Sequence, residues 1–202
     1  MRNIRKSRKH TVNSCPGDRV PLIVSPDELA QKRIFLILTS AGNIRQQNID
    51  LIREISRQGY HTIVITTNFP YSILTKLYQE EGIDLADVSF IDAVTRNSIG
   101  TTENIPGRVR FINNPADLTD LGIAVTEVIR ENSGKKVCIL YDSISTMLIY
   151  LSSPNISKFI HFVTNKLRLM NISGIFLAVE KGLDPMLMSQ LSTFADQVID
   201  TE

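Results

Sequence analysis

Little in this 202-residue chain invites covalent or metal chemistry. It holds two cysteines, Cys15 in a polar leader and Cys138 in an apolar run, which give no disulfide framework. Its three histidines, His10, His61 and His161, fall at no metal-ligand spacing. No G-x-S-x-G nucleophile elbow and no G-x-G-x-x-G dinucleotide fingerprint occurs. No apolar run approaches the roughly 18 residues that a membrane span needs. The basic start runs into Thr11-Val12-Asn13-Ser14 rather than an apolar core, so it does not read as a secretory signal. A cytoplasmic protein with no transmembrane segment is the expectation.

Net charge is also small, at +1, but it is unevenly placed. Arg2, Arg5, Lys6, Arg8, Lys9 and Arg19 against Asp18 give residues 1–19 a charge of +5, which leaves −4 for the remainder. This leader is polar and without periodicity, so disorder is expected over 1–19. Its cations Arg2, Arg5, Lys6, Arg8 and Lys9 suit a nucleic-acid backbone or an anionic lipid surface, or simply solvent. No aromatic residue stands among them for a base to stack on.

What the chain does have is apolar content, 43% of its residues, enough for one sizeable core. The most informative stretch is Val137-Cys138-Ile139-Leu140-Tyr141-Asp142-Ser143. Its apolar part is too short for a helix and does not alternate, as in a strand buried on both faces of a parallel sheet. In open sheets of that kind, ligands bind beyond the carboxyl ends of the strands, where Asp142 and Ser143 fall. A carboxylate there can hold magnesium or its water shell against a phosphate, or it can cap the following helix.

Strand and helix patterns alternate along the rest of the chain. Ser25-Pro26-Asp27-Glu28 has capping-box spacing and announces a short helix. Strands are expected at 34–39, 62–67, 88–92, 109–112, 137–141, 174–179 and 197–200. Helices are expected at 44–58, from Pro70 to Gly82, and at 116–131, 156–170 and 184–194, with a polar loop between Asp92 and Val109. The pattern predicts an α/β domain with a mostly parallel sheet and right-handed crossovers. Residues 1–32 are read as a basic leader plus the short helix, and 33–202 as the domain.

The strand ends carry the candidate ligand residues. Thr39-Ser40-Ala41-Gly42-Asn43-Ile44-Arg45 lacks the G-x-x-x-x-G-K-S/T pattern, and no lysine occurs between Lys32 and Lys76. Ser40, Gly42 and the first amides of the next helix could still hold an anion. Asn68 follows the next strand, where it suits a cap for the helix opened by Pro70, and no carboxylate stands beside it to activate a water. Asp92, close to Thr95 and Arg96, and Glu180 end two more strands. Either acid suits a cleft role or an ordinary strand-end role.

The chain resembles the RecA/KaiC-type ATPase domain, and within it archaeal KaiC-like proteins that lack the Walker A loop. The resemblance covers roughly 33–202. It rests on the Walker-B-like Val137 to Ser145, on Asn68-Phe69-Pro70-Tyr71 leading to Glu81-Gly82-Ile83-Asp84, and on Phe90-Ile91-Asp92-Ala93-Val94. The stretch from Phe159 to Met170 with Ser173-Gly174-Ile175 and Val179-Glu180-Lys181 also fits. It implies a three-layer, P-loop NTPase-type fold. It also implies that Thr67 and Asn68 stand where active relatives carry paired catalytic glutamates, and that Asp142 alone survives as a magnesium-assisting carboxylate. No catalytic residue is assigned, and ATP with magnesium is compatible with the fold but not expected. The preferred expectation is a non-catalytic regulatory or interaction module, in signal transduction, pairing with a protein partner or with itself. The alternatives are a nucleotide-binding protein or weak ATPase, and a nucleic-acid or membrane-surface binder working through the tail.

Overall fold

The structure, a computed structural model, describes residues 4–6 and 23–201. Its centre is an eight-stranded sheet in which every pairing between named strands is parallel. In chain order the elements begin with β1 (Ile4–Lys6), α1 (Pro26–Ala30), β2 (Ile34–Thr39), α2 (Ile44–Arg57), β3 (His61–Thr66) and α3 (Tyr71–Glu80). They continue with β4 (Val88–Asp92), α4 (Thr95–Ile99), β5 (Val109–Phe111), α5 (Leu118–Glu131), β6 (Val137–Asp142) and α6 (Ile144–Met147). The last are α7 (Ser153–Leu169), β7 (Ser173–Val179), a 3-10 turn (Glu180–Gly182), α8 (Pro185–Phe194) and β8 (Gln197–Asp200). Spatially the strands run β1-β8-β2-β7-β6-β3-β4-β5, so all strand ends that carry candidate residues share one edge.

The pleat sorts the strand residues between two cores. Ile34, Leu36 and Leu38 of β2 join one cluster with α5, α7 and α8, while Phe35 and Ile37 join the other with α2 and α3. Strand β6 does the same, with Ile139 and Tyr141 on the first side and Cys138 and Leu140 on the second. Period-2 alternation therefore puts Asp142 on the side of α2 and α3. Each fully buried Leu, Ile or Phe in these clusters contributes roughly 1.5–3 kcal/mol of apolar burial. The layers are helix, sheet, helix, as a parallel sheet requires.

Several elements differ from expectation. Disorder was expected across 1–19, yet Ile4–Lys6 pairs with Val198 to Asp200 as an edge strand, supplied by the open side of β8. The polar loop after Asp92 contains α4, which periodicity cannot reveal because a carboxylate organises it. The Asp92 side chain accepts from the amides of Val94 at 2.7 Å and Thr95 at 2.8 Å. Helix α7 begins at Ser153, one turn earlier than its apolar stripe, with a proline in its first turn. The capping box of α1 is present as expected, with Glu28 Oε2 accepting from the Ser25 amide at 2.8 Å.

Candidate functional site

The residues at the shared sheet edge divide by face. Thr66 lies in register between Asp92 of β4 and Asp142 of β6, and Asp142 is level with Leu177 of β7. Asp142 is 1% exposed, and its Oδ1 has no hydrogen-bond partner among the described residues. Burial pushes its carboxyl up to about 7, while the Asn68 side chain pulls the other way. Tyr78 of α3 is fully buried nearby, its phenol raised first by burial and then by the Asp142 charge. The Tyr78 hydroxyl donates to Asn48 Oδ1 of α2 at 2.6 Å. Asn48 Nδ2, Gln47 Nε2 and Thr39 Oγ1 are buried without partners among the described residues.

Sequence reasoning missed Gln47, Asn48 and Tyr78. A signal was present: Ile44, Leu51, Ile52 and Ile55 form the apolar stripe of α2, with Ile44 half-buried and the others buried, and two amides occupy the intervening turn of that stripe. A polar residue on an apolar helix face is the informative kind of burial.

Thr67 points to the opposite face. Its Oγ1 donates to Ser143 O at 3.0 Å and lies 2.9 Å from Thr146 Oγ1 of α6. Ser143 is the N-cap of α6 and makes no side-chain cap bond, while its Oγ lies 3.4 Å from Thr146 Oγ1. Asn68 does not cap α3 either, whose N-cap is Pro70 without a side-chain bond. The amide of Tyr71 donates instead to Asp92 Oδ2 at 2.7 Å. With Val94 and Thr95 also donating, Asp92 is fully engaged in joining α3 and α4 to β4. The cleft role weighed for it is replaced by this one. Arg96 likewise turns away, donating to Thr102 O and Phe111 O to hold the loop before β5.

Ser40, Ala41, Gly42 and Asn43 make the whole connection from β2 to α2, and Asn43 caps the helix with no side-chain bond. Gly42 is exposed, with nothing near the place a Cβ would take. Arg45 lies over the Phe69 ring at 5.9 Å. Glu180 is exposed at the start of the 3-10 turn after β7. The structure thus gathers Asp142 and Asn68, and leaves Ser143, Asp92, Ser40, Gly42 and Glu180 with structural or surface positions. Of the tail cations, Arg2, Arg8 and Lys9 lie outside the described residues, and Arg5 and Lys6 are in β1. No group of three or more metal-ligating side chains occurs among the described residues.

At the opposite sheet edge, His61 does assemble a network that the sequence did not reveal. Its Nε2 is 2.9 Å from Ser89 Oγ, its Nδ1 is 3.2 Å from Lys135 Nζ, and Asp87 stands 3.7 Å away. Ser89 is buried and its hydroxyl donates to Gly107 O, so it is not a free nucleophile. Lysine can only donate, so Nδ1 accepts and Nε2–H donates to Ser89. Burial first, then Lys135, holds the His61 pKa below its usual value.

The all-parallel, helix-covered sheet is shared with solved structures. The fold is similar to KaiC-like protein PH0186 from Pyrococcus horikoshii OT3, at TM-score 0.60 and 16% identity over 92% of this chain and 82% of that one. It is also similar to the uncharacterised protein PH0321 from Pyrococcus horikoshii, solved in complex with an unknown peptide, at TM-score 0.64 and 13% identity over 85% of this chain and 78% of that one. The fold is therefore that of archaeal KaiC-like, RecA-type domains. Residues 40–201 match the model of the family described as "Family of unknown function (DUF7504)", and the chain belongs to that family. No curated protein matches it. No helix among the described residues is long and apolar enough to cross a membrane.

Proposed function

We propose that this protein is a non-catalytic KaiC-like domain that works as a protein-interaction or regulatory module. The observation that carries this reading is the state of Asp142. In a phosphoryl-transfer site the carboxylate must be ionised and must face a metal and a phosphate cradle. Here it is buried beside Tyr78 and Asn68, and burial favours its neutral form. The turn that would form the cradle is four residues long, with one glycine and no lysine. Thr67 is committed to Ser143 and Thr146, and Asn68 supplies no base. The residues present do not fit a magnesium nucleotide. The peptide in the PH0321 structure supports an interaction role by analogy of fold.

Thermal unfolding with and without millimolar Mg-ATP, Mg-ADP and GTP tests the proposal. A ligand at 100 times its dissociation constant stabilises by about 2.7 kcal/mol, a readable shift. No shift is expected. A shift that Asp142→Ala abolishes would overturn the reading in favour of a working nucleotide site.

A further inference from the structure

An open groove lies away from the sheet edge, between α5 and α7 on the outer face of the first core. Its volume is about 480 Å³. One wall is the α5 stripe of Thr119, Gly122, Ile123 and Thr126, and the other is the α7 stripe of Asn155, Lys158, Phe162 and Lys166. Both stripes repeat at three and four residues, so each is a continuous ridge of its helix. Gly122 makes the hollow: a Cβ there would stand 3.2 Å from the Phe162 ring. Ile123 and Phe162 leave 49% and 47% of their surface exposed, which is unusual for large apolar residues on facing helices.

The charge of this groove is of one sign. Lys158 and Lys166 are its only charged lining residues, and Lys166 Nζ sits 5.2 Å from the centre of the Phe162 ring. The acids of α5 that adjoin lining residues in sequence, Asp120 and Glu127, are not among the residues of the lining, and Glu127 is paired with Arg110. This contrasts with the −4 carried by residues 20–202 as a whole. The chain's own basic leader is a poor occupant, because it would bring like charges to the lysines.

Resting on the reading of the protein as an interaction module, we infer that the α5/α7 groove docks an acidic amphipathic helix from a partner protein. Leu- or Phe-type anchors would enter beside Gly122, and flanking carboxylates would meet Lys158 and Lys166. From Asn155 to Lys166 the ridge spans about 16 Å at 1.5 Å per residue, which matches roughly three turns of a peptide helix.

The test uses the full chain and two fluorescein-labelled synthetic helical peptides. Both carry Leu and Phe on one face. One has Glu on the flanks and the other has Lys. The acidic peptide is expected to bind with at least about tenfold higher affinity than the basic one. The double variant Lys158→Glu/Lys166→Glu should reverse that order, and Ile123→Glu should abolish binding of the acidic peptide. Melting temperatures and circular dichroism confirm that these surface variants fold. Equal binding of both peptides, no binding of either, or indifference to the substitutions overturns the inference. So does a self-association that Phe162→Glu dissolves, because the occupant is then a second copy. A nucleotide-induced thermal shift would instead sink the parent reading, so the two failures are distinguishable.

Discussion

Thr67 Oγ1 lies 2.9 Å from Thr146 Oγ1, joining the end of β3 to the turn that follows β6. The same hydroxyl donates to Ser143 O, so Thr67 serves as a clasp between β3 and α6. Thr67→Val keeps the shape and removes both bonds. It should lower stability by about 0.5–1.5 kcal/mol, read from the urea midpoint, because the Thr67 hydroxyl's contacts are lost while Ser143 O keeps the Thr146 hydroxyl as a donor at 2.8 Å. Thr67→Glu should cost more and should not create nucleotide hydrolysis, since no phosphate cradle accompanies it.

Asp142 predicts a pH dependence of definite sign. Its carboxyl is raised from 3.8 to about 7 by burial, so the folded state holds a proton that the unfolded state releases. Such a group favours folding fully below about pH 4, and its contribution falls as pH rises through 7. Asp142→Asn cannot ionise. Its stability should match the wild type near pH 4 and exceed it by up to ~4 kcal/mol at pH 8, at 1.36 kcal/mol per unit. Urea unfolding at the two pH values measures the difference. A variant that gains nothing at pH 8 would show the carboxylate to be ionised and stabilised in place.

Asp92 is predicted to be structural. Asp92→Ala removes the acceptor for the amides of Tyr71, Val94 and Thr95 at once. A loss of about 3 kcal/mol or more is expected, since hydrogen bonds to a charged acceptor contribute roughly 1.5–3 kcal/mol each and are not additive. Amide exchange should quicken in α4 and at the start of α3 before it does elsewhere.

Gly174 of β7 leaves room for the side chains of Leu167, Phe176 and Ile34. A Cβ there would fall 2.7 Å from Leu167 Cδ1 and 3.0 Å from Phe176 Cε2, both in the closed core. Gly174→Ala should therefore destabilise by about 1–3 kcal/mol through overpacking. Gly42→Ala, in open space, should change stability by only a few tenths of a kcal/mol either way. Comparing the two melting temperatures checks the pair.

Gln47 tests the buried polar turn of α2. Its Nε2 has no partner among the described residues, so Gln47→Leu exchanges an unpaired buried amide for apolar contact. A gain of about 1 kcal/mol in unfolding free energy is expected.

The sequence by itself determined the core strands and most helices. Runs such as Ile34 to Thr39 and Val137 to Tyr141 can only be satisfied between two helical layers, and amphipathic stripes such as that of α2 fix where those layers lie. It also showed what the turn after β2 lacks, because a missing lysine and glycine are visible without coordinates. The tertiary structure alone decided the roles of the strand-end residues. Asp92 and Asp142 are alike in sequence, each an acid closing a strand. Backbone donors from α3 and α4 converge on Asp92, whereas Asp142 Oδ1 finds none and meets Tyr78 and Asn68 in a buried space. The partners of a polar group come from other strands and helices, and so does the burial that sets its charge. The α5/α7 groove and the His61 network depend in the same way on which helices and strands become neighbours, so neither was legible in a single chain's pattern.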